Sequence, residues 1–380
     1  MKVLHLNCDY QATTLHQLMV DKLISRDVDT SVFSPVYSNN NAVIELRDYE
    51  KAIVCFNKID RIFFYNKQRK IIKKLEKEID IKQYDLLHAF YLFTDGTYTR
   101  KLSNKYNIPY VVAVRNTDVN AFFKYKPYLR YVGILNMVCA RKVFFLSASY
   151  RDYVINKYVP SKYKQEIIDK SVILPNGIDS FWLDNKHLNR NYKEVIERIK
   201  NRNINIVYAG SIDKNKNIIH SLRSLEILKN EGWNVHFDII GAVVDKSEYH
   251  RIIQADFIHY SPKMPKEELI KVFRQSDIFL MPSHTETFGL VYAEAMSQGL
   301  PVLYTKGQGF DRQFEEGIVG YSVSDKDSVD VSKKIKMICL NYYEISNNCL
   351  EMVQKFSWDN IVQKYISIYK SIIFDDPSTV

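Results

Sequence analysis

Short apolar runs that alternate with helix-forming stretches are the strongest constraint on the fold of this chain. Five runs lie in the first half and six in the second: KVLHL, TSVFS, DLLHAF, PYVVAV and KVFFLS, then NINIVYAG, NVHFDIIG, DFIHY, DIFLMP, PVLYT and GYSV. Strands that alternate with helices form parallel sheets that are covered by helices. The polar stretch 184–203 separates the two sets. The sequence therefore predicts an α/β protein with two doubly wound domains.

The length of 380 residues agrees with this division, because it exceeds what one ordinary core supports. We expect a Rossmann-like N-terminal domain over residues 1–183, a linker over 184–203 and a second Rossmann-like domain over 204–355. Residues 356–380 are expected to form a terminal helix and tail. Each sheet binds ligands beyond the carboxyl ends of its strands, so the domains should face a central cleft.

The stretch HTETFGLVYAEAMSQGLPV lies between two predicted strands of the second domain and carries two glutamates. Its composition predicts a helix that starts near Phe288. The free amides of Phe288, Gly289 and Leu290 would then point outward with the positive end of the helix dipole. Such an arrangement binds anions, phosphate among them. Glu286 would lie on the loop before the helix, and Glu294 would lie inside it.

The formal net charge of +9 is concentrated in the first half. Residues 51–82 hold ten Lys or Arg and four Asp or Glu, and residues 120–170 hold ten and three. A basic face of this size predicts an anionic partner, which is a membrane, a nucleic acid or an acidic saccharide. The segment AFFKYKPYLRY, residues 121–131, fits either a helix packed partly on the core or a segment that touches anionic lipid. No recognised nucleic-acid module surrounds it, so we expect no nucleic-acid partner.

The cysteines and histidines give no sign of a disulfide framework or a metal site. Five cysteines are scattered without a CxxC pair, which is typical of free thiols in a reducing compartment. The nine histidines form no HExxH motif, so no metal is expected. The amino terminus becomes polar after a few residues and is predicted to be a strand. We expect a cytoplasmic protein, either soluble or bound peripherally to the inner face of the cell membrane.

The sequence ETFGLVYAEAMSQGLPV resembles the signature of family 4 glycosyltransferases, which have the GT-B fold. Three further motifs follow in the family's order: PNGID at 175–179, YAGSIDKNKN at 208–217 and FSWDNIVQKYISIY at 356–369. The resemblance implies a retaining, metal-independent glycosyltransferase of the hexosyltransferase type. Its N-terminal domain would bind the acceptor, its C-terminal domain the nucleotide sugar, and its last helix would cross back to the first domain.

The resemblance also implies roles for individual residues. Glu286 would contact hydroxyls of the donor sugar, Glu294 would hold the ribose, and Lys216 would neutralise the diphosphate leaving group. The same loops imply a set of donor-binding residues: Gly210, Ser211, Lys214, Gly241, Thr287, Phe288, Gly289, Leu290 and Glu294. These roles suit a transition state with oxocarbenium character and a departing diphosphate, which needs positive charge at the phosphate and oxygens near the sugar.

Three stretches depart from the family's pattern. DYQATTLH, residues 9–16, has no glycine where the family usually has a Gly-rich loop. Ser211 stands where many members carry an arginine. Lys214 is the nearest replacement and would face the diphosphate if the loop is extended, although it also fits a solvated loop lysine. RNTD replaces His-Gly-Thr-Asp or Arg-Gly-Ser-Asp, so Arg115 and Asp118 are catalytic candidates, but no histidine role is carried over.

The expected function is transfer of a sugar from a nucleotide diphosphate donor to a lipid-linked or cell-surface polysaccharide acceptor. UDP is favoured over GDP as the nucleotide. No cofactor is expected, because the nucleotide sugar is a co-substrate. One alternative is a non-catalytic GT-B subunit that binds saccharide or supports a partner glycosyltransferase, which the missing Gly-rich loop and Ser211 favour. Another is a nucleotide-sugar epimerase of related fold, which would release free nucleotide without an acceptor.

Overall fold

The computed structural model describes residues 1–37 and 46–374, which form two compact units. Of the described residues, the first unit contains 1–37, 46–146, 151–175 and 358–374. The second unit contains residues 147–150 and 176–357. The predicted tail beyond residue 374 lies outside the described residues.

A parallel sheet forms the centre of the first unit. Within the described residues its strands are β1 (Lys2–Leu6), β2 (Asp29–Tyr37), β3 (Glu50–Phe56), β4 (Leu86–Ala89), β5 (Tyr110–Ala113), β6 (Lys142–Phe145) and β7 (Ser171–Ile173). The strand order is β3-β2-β1-β4-β5-β6-β7, and every pair is parallel. Strands β2 and β3 are added on one side of β1, and strands β4 to β7 are added on its other side. This is the doubly wound arrangement that the alternating pattern predicts.

The sequence prediction missed two strands at the edges of this sheet. Strand β3 begins on the charged residues Glu50 and Lys51 and is only partly buried, so it shows no continuous apolar run. Strand β7 has three residues, all of intermediate burial. Edge strands bury less side-chain surface than central strands, which weakens the hydrophobic pattern that a sequence can display.

Helices cover this sheet and connect its strands. Those before Pro175 are α1 (Thr14–Ile24), α2 (Phe64–Glu78), α3 (Thr94–Tyr106), α4 (Arg130–Val138), α5 (Ala148–Tyr158) and α6 (Ser161–Lys170). Short 3-10 turns lie at Tyr10–Ala12, Ile59–Arg61, Ile81–Gln83 and Pro127–Leu129, and a π-helical turn lies at Asp118–Phe123.

The second unit is built on the same plan. Its strands are β8 (Asn203–Ala209), β9 (Asn234–Ile240), β10 (Ile258–Ser261), β11 (Ile278–Met281), β12 (Val302–Thr305) and β13 (Gly320–Val323). Its helices are α7 (Ser180–Asp184), α8 (Tyr192–Lys200), α9 (Ile218–Asn230), α10 (Lys246–Ile252), α11 (Lys266–Gln275), α12 (Leu290–Met296), α13 (Ser328–Leu340) and α14 (Tyr342–Met352). The parallel sheet has the order β10-β9-β8-β11-β12-β13, and all six predicted strands are present.

The polar stretch 184–203 is counted with the second unit and carries helix α8. Asn191 caps this helix by accepting a hydrogen bond from the amide of Glu194 at 3.4 Å. Val195 and Ile199 are buried on its inner face, and Arg198 forms an ion pair with the buried Asp277 at 2.6 Å, whereas its other charged side chains are exposed. An amphipathic helix can therefore pack against a domain even though its overall composition is that of a polar linker.

The last described helix, α15 (Trp358–Phe374), belongs to the first unit, as the resemblance implied. It contacts α1 and buries Ile361, Val362, Tyr365 and Tyr369 in the core of that unit. No helix in the described part of the chain is both long enough and apolar enough to cross a membrane.

Two buried histidines lie side by side in the centre of the first sheet. His5 on β1 pairs in register with His88 on β4, and their ring centroids are 5.2 Å apart. The His88 ring bonds the Tyr369 hydroxyl at 2.7 Å, whereas neither ring nitrogen of His5 has a hydrogen-bond partner in the described structure. Burial lowers the pKa of His5 from 6.5 to about 3. His5 is therefore neutral in the folded protein.

We expect His5→Phe to reduce the loss of stability in acid. The unfolded chain takes up a proton at His5 near pH 6.5, but the folded chain does so only near pH 3, so protons stabilise the unfolded state between these values. Each pH unit in this window costs about 1.4 kcal/mol per histidine. Urea unfolding at about pH 7 and about pH 5 should give a smaller difference in unfolding free energy for the variant than for the parent. Equal differences would contradict this account of His5.

Candidate active site

Two loops meet at the carboxyl edge of the second sheet. One follows β8 and runs through residues 210–217, and the other follows β11 and runs through residues 282–289. Strands β8 and β11 are neighbours in the sheet. Because the carboxyl ends of parallel strands lie on the same edge, the two loops are placed side by side.

An ion pair joins the two loops. The Lys216 ammonium lies 2.7 Å from Glu286 Oε2, and the two side chains are 20% and 16% exposed. The other oxygen, Glu286 Oε1, accepts a hydrogen bond from the Thr287 amide at 3.1 Å and lies 3.5 Å from the Phe288 amide. The pair is therefore largely shielded from solvent yet reachable from it. Two residues predicted to act together from the sequence are in direct contact.

Asn215 aligns the loops that carry this pair. Its side-chain amide donates to the Thr285 carbonyl at 2.9 Å, and its side-chain oxygen accepts from the Thr285 amide at 3.1 Å. Its backbone carbonyl accepts from the His284 amide at 2.8 Å. Three hydrogen bonds thus connect the residue before Lys216 to the residues before Glu286. The motif YAGSIDKNKN contains Asn215, but spacing alone does not reveal this function.

The structure corrects the expectation of an extended loop around Lys214. Lys214–Lys216 form one turn of 3-10 helix, because Asp213 Oδ1 accepts hydrogen bonds from the amides of Asn215 and Lys216. Lys214 therefore does not share a face with Lys216. Its ammonium lies 3.9 Å from Asp245, and its side chain is 75% exposed. A donor-binding role for Lys214 stays a prediction.

Ser211 is engaged within the same loop. Its hydroxyl donates to Asp213 Oδ2 at 2.6 Å, and its carbonyl accepts from the Tyr208 hydroxyl at 2.6 Å. Ser211 thereby orients the aspartate that shapes the turn before Lys216. These contacts give Ser211 a structural function at the position where many family 4 glycosyltransferases carry an arginine.

Gly241 is required by a close backbone approach to Gly210. A Cβ atom on Gly241 would lie 1.7 Å from the Gly210 carbonyl oxygen, so no larger residue fits at that position. The Gly210 amide donates to Ile240, and the Gly241 amide donates to Ser261. The first bond joins the ends of β8 and β9, the second joins the ends of β9 and β10, and the Gly241 carbonyl accepts a hydrogen bond from the Tyr260 hydroxyl at 3.2 Å.

Helix α12 begins two residues later than predicted. It starts at Leu290, and Gly289 precedes it with a φ of +77°, a left-handed conformation that favours glycine. Phe288 is buried with its ring near those of Phe310 and Phe356, so its side chain anchors the loop. In the described structure the amides of Gly289 and Leu290 have no hydrogen-bond partner, whereas the Phe288 amide faces Glu286.

A third loop, which was not predicted from the sequence, forms hydrogen bonds to the backbone of Glu286. Gln308 Oε1 accepts a hydrogen bond from the Glu286 amide at 3.0 Å, and the Gly309 amide donates to the Glu286 carbonyl at 2.7 Å. A Cβ atom on Gly309 would lie 1.8 Å from the Thr287 carbonyl oxygen. The two glycines in KGQGF, directly after β12, were the sequence feature that could have indicated this close approach of two loops. The Thr287 hydroxyl is buried without a hydrogen-bond partner in the described structure.

Glu294 lies on α12 in a different electrostatic setting. Burial and the nearby Asp179 carboxylate raise the pKa of Glu294 to about 7, and the Lys266 ammonium opposes the shift. Lys266 itself forms an ion pair with Asp179, which belongs to the PNGID motif. Glu294 is therefore close to half-protonated at neutral pH, and a ligand that donates hydrogen bonds to it would favour its ionised form.

Arg115 and Asp118 lie in the first unit, at the end of β5. Asp118 is buried, and its carboxylate accepts hydrogen bonds from the amides of Leu92, Phe93 and Arg115 at 2.9 to 3.1 Å. Burial raises the pKa of Asp118 to about 6, while these amides oppose the shift. Such contacts are typical of a residue that positions a loop, and the predicted catalytic role stays untested. The buried Arg115 interacts with Tyr365 on α15.

The acidic, histidine and cysteine side chains are the ones that could bind a metal ion. Among residues 1–37 and 46–374, no group of three or more of them is arranged to hold a metal ion.

Comparison with known proteins finds a family model that matches part of the second unit. Residues 189–356 match the model described as glycosyl transferases group 1. The uncharacterised 41.2 kDa protein in the cps region of Klebsiella pneumoniae is 29% identical over 189 residues, which are 47% of this chain and 52% of that protein. The capsular polysaccharide biosynthesis glycosyltransferase CapM of Staphylococcus aureus is 26% identical over 248 residues, 62% of this chain and 63% of that protein. The matches thus cover less than two thirds of either relative.

Solved structures share the fold over almost the full chain. Sucrose-phosphate synthase of Thermosynechococcus elongatus has a TM-score of 0.73 at 16% identity and covers 99% of this chain and 100% of its own. HepE of Anabaena in complex with UDP has a TM-score of 0.71 at 15% identity, and the alignment covers 98% of this chain and 100% of HepE. At these identities the likeness establishes the fold alone. The predicted GT-B fold class is confirmed.

We expect Gly309→Ala to displace the loop that carries Glu286. Its new methyl group would overlap the Thr287 carbonyl, so the backbone of one loop must move. Gly307→Ala is the comparison variant, because alanine at its φ of +78° strains the same loop, but an added Cβ there meets no atom within 4 Å. Hydrogen exchange of the amides in residues 284–289 should accelerate more in Gly309→Ala than in Gly307→Ala. Equal exchange in all three proteins would show that Gly309 does not support the loop.

Proposed function

We propose that this chain, whose residues 189–356 match the model described as glycosyl transferases group 1, transfers a sugar from a nucleotide diphosphate donor to a saccharide or lipid-linked acceptor. The observation that carries the proposal is the Lys216–Glu286 ion pair at the carboxyl edge of the second sheet. Opposite charges in contact there match a reaction that separates charge between a sugar and a diphosphate.

The pair is suited to exchange partners when a donor binds. A diphosphate that approaches Lys216 competes with Glu286 for the ammonium, and charge-assisted contacts to phosphate are strong. Glu286 Oε2 is then released toward the sugar, while Oε1 keeps its hydrogen bond from the Thr287 amide. The amides of Gly289 and Leu290 are further donors for the oxygens of the diphosphate. One binding event thereby places positive charge at the leaving group and a carboxylate near the reacting carbon.

In the proposed reaction, the bond between the anomeric carbon and the diphosphate oxygen breaks, and a bond to the acceptor oxygen forms. The proton of the acceptor hydroxyl passes to the departing diphosphate. Lys216 stabilises the negative charge that develops on the leaving group, and Glu286 stabilises the positive charge on the sugar. We propose retention of configuration without a metal, as the resemblance to family 4 implies.

Names of related proteins support the choice of substrates. HepE binds UDP in its solved structure, which supports a uridine nucleotide. CapM acts in capsular polysaccharide biosynthesis, which supports a surface polysaccharide or its lipid-linked precursor as acceptor. Purified protein should hydrolyse or transfer from UDP-glucose or another nucleotide sugar. Failure of every nucleotide sugar to bind or react would contradict the proposal.

A non-catalytic subunit is the second candidate function. It is favoured by Ser211, which stands where many family members carry an arginine. The Ser211 hydroxyl donates its hydrogen bond to Asp213, and Ser211 provides no second cation beside Lys216. A subunit of this kind would bind nucleotide or saccharide without turnover. Multiple turnovers by the isolated chain would exclude it.

We expect Glu286→Gln to lower turnover by about 100-fold or more, because it removes the charge placed near the reacting carbon and keeps the shape of the side chain. Glu226→Gln on α9 removes an exposed carboxylate from the same unit and is the control, with turnover expected at the parent's value. The measurement is release of nucleotide from the donor in the presence of acceptor. Turnover of Glu286→Gln within about twofold of the parent would remove Glu286 from the mechanism.

We expect donor affinity to rise as the pH increases from about 6 to about 8, since Glu294 has a pKa of about 7 and its ionised form accepts stronger, charge-assisted hydrogen bonds from the ribose hydroxyls with both oxygens. Below this pKa, affinity should fall by up to about tenfold per pH unit. UDP-glucose is the suitable probe, because its diphosphate has no ionisation in this range. Glu294→Gln should bind more weakly at high pH and lose the pH dependence. An unchanged profile in this variant would place the titrating group elsewhere.

A further inference from the structure

Large apolar side chains are exposed together on one part of the first unit. Seven of them, each between 51% and 75% exposed, lie in two segments: Ile59, Ile62, Phe63 and Tyr65 in the first, and Tyr125, Tyr128 and Tyr131 in the second. We call these seven side chains the exposed apolar surface. Single exposed apolar residues are common on soluble proteins, but contiguous groups mark interaction sites.

Aromatic contacts bring the two segments together. The Phe64 ring lies 6.1 Å from the Phe122 ring, and Phe122 stacks on Phe93 with centroids 4.8 Å apart. Phe64 lies between Phe63 and Tyr65 of the first segment, and Phe122 lies just before the second. The segments therefore form one surface, built on the loops that leave the carboxyl ends of β3, β4 and β5.

Basic side chains are numerous in the same two segments and in α2. Residues 58–78, which include α2, hold eight Lys or Arg and three Asp or Glu, a net charge of +5. Residues 121–131 hold three Lys or Arg and no acid. Lys126 lies 4.4 Å from the centroid of the Phe122 ring, and Lys124 lies 5.0 Å from that of Tyr125. Apolar tips and cationic groups thus occur together in the same two segments of the unit.

We propose that the exposed apolar surface docks on an anionic lipid bilayer. Ile59, Ile62 and Phe63 would enter the boundary between headgroups and acyl chains, where aliphatic and aromatic groups leave water. The tyrosines suit the headgroup level, because each has an apolar ring and a polar hydroxyl. The lysines and arginines of α2 would contact lipid phosphates.

Charge and side-chain chemistry favour lipid over the other occupants. A second copy of this chain would bring one basic surface against another, which repels. Single-stranded nucleic acid stacks on aromatic rings and pairs with basic groups, but Ile59 and Ile62 offer it no stacking face. A bilayer uses the aliphatic, aromatic and basic groups together. The proposed docking goes beyond sugar transfer and would bring the carboxyl edge of the first sheet toward an acceptor held in lipid.

Vesicle flotation tests the proposal with the full chain. The parent should bind phosphatidylcholine vesicles that contain phosphatidylglycerol and should bind pure phosphatidylcholine far less. The double variant Ile62→Ser, Phe63→Ser should bind the anionic vesicles about tenfold more weakly or less, since it removes the two most apolar tips. Leu340→Ser is the matched control, because Leu340 is 83% exposed in the second unit and should not affect binding.

A second pair of variants separates charge from insertion. Lys73→Gln and Lys74→Gln, both on exposed positions of α2, should each weaken binding by about fivefold at low salt, and added salt should remove this difference. The defect of the serine double variant should persist in high salt. Equal binding to neutral and anionic vesicles would overturn the proposal, as would full binding by the double variant.

Other partners give distinct outcomes in the same preparation. Self-association of the parent that the serine double variant abolishes, without vesicle binding, would assign the surface to a second copy. Binding of a single-stranded oligonucleotide by the parent, lost in the serine double variant and without vesicle binding, would assign the surface to nucleic acid. Either result would overturn the assignment to lipid.

Discussion

The ion pair between Lys216 and Glu286 is the interaction on which the candidate site depends. A cation and an anion in contact with little exposure are costly to separate, so each is kept in place until a competing charge arrives. The surrounding structure serves to hold this pair. Asn215 aligns the two loops, Asp213 folds the turn before Lys216, and Gly309 permits the third loop to approach Glu286. Sheet topology places all three loops on one edge.

The fold could be predicted from the sequence because central strands of parallel sheets are buried on both faces and read as apolar runs. All six strands of the second unit, and the return of α15 to the first, follow the prediction. Strands β3 and β7 were missed, since they lie at sheet edges where burial is partial. The segment 184–203 looked like a linker because an amphipathic helix such as α8 has the same polar composition.

The candidate site was predictable only in part. Sequence spacing and resemblance named Lys216 and Glu286, which the structure brings into contact. They did not reveal that Lys214 would turn away, because the conformation of its loop is set by hydrogen bonds to one aspartate side chain. The contribution of Gln308 and Gly309 was also missed, since it consists of backbone contacts between loops far apart in the chain. Such contacts depend on tertiary structure and leave little trace in composition.

The central claim is that a donor diphosphate replaces Glu286 as the partner of Lys216. Calorimetric titration of UDP into the parent, Lys216→Met, Glu286→Gln and the double variant tests it most directly. Lys216→Met should bind UDP about tenfold to 100-fold more weakly, because a charge-assisted contact to phosphate is lost. Glu286→Gln should bind UDP at least as tightly as the parent, because the competitor for Lys216 is gone. Loss of UDP affinity in Glu286→Gln as large as in Lys216→Met would contradict the account.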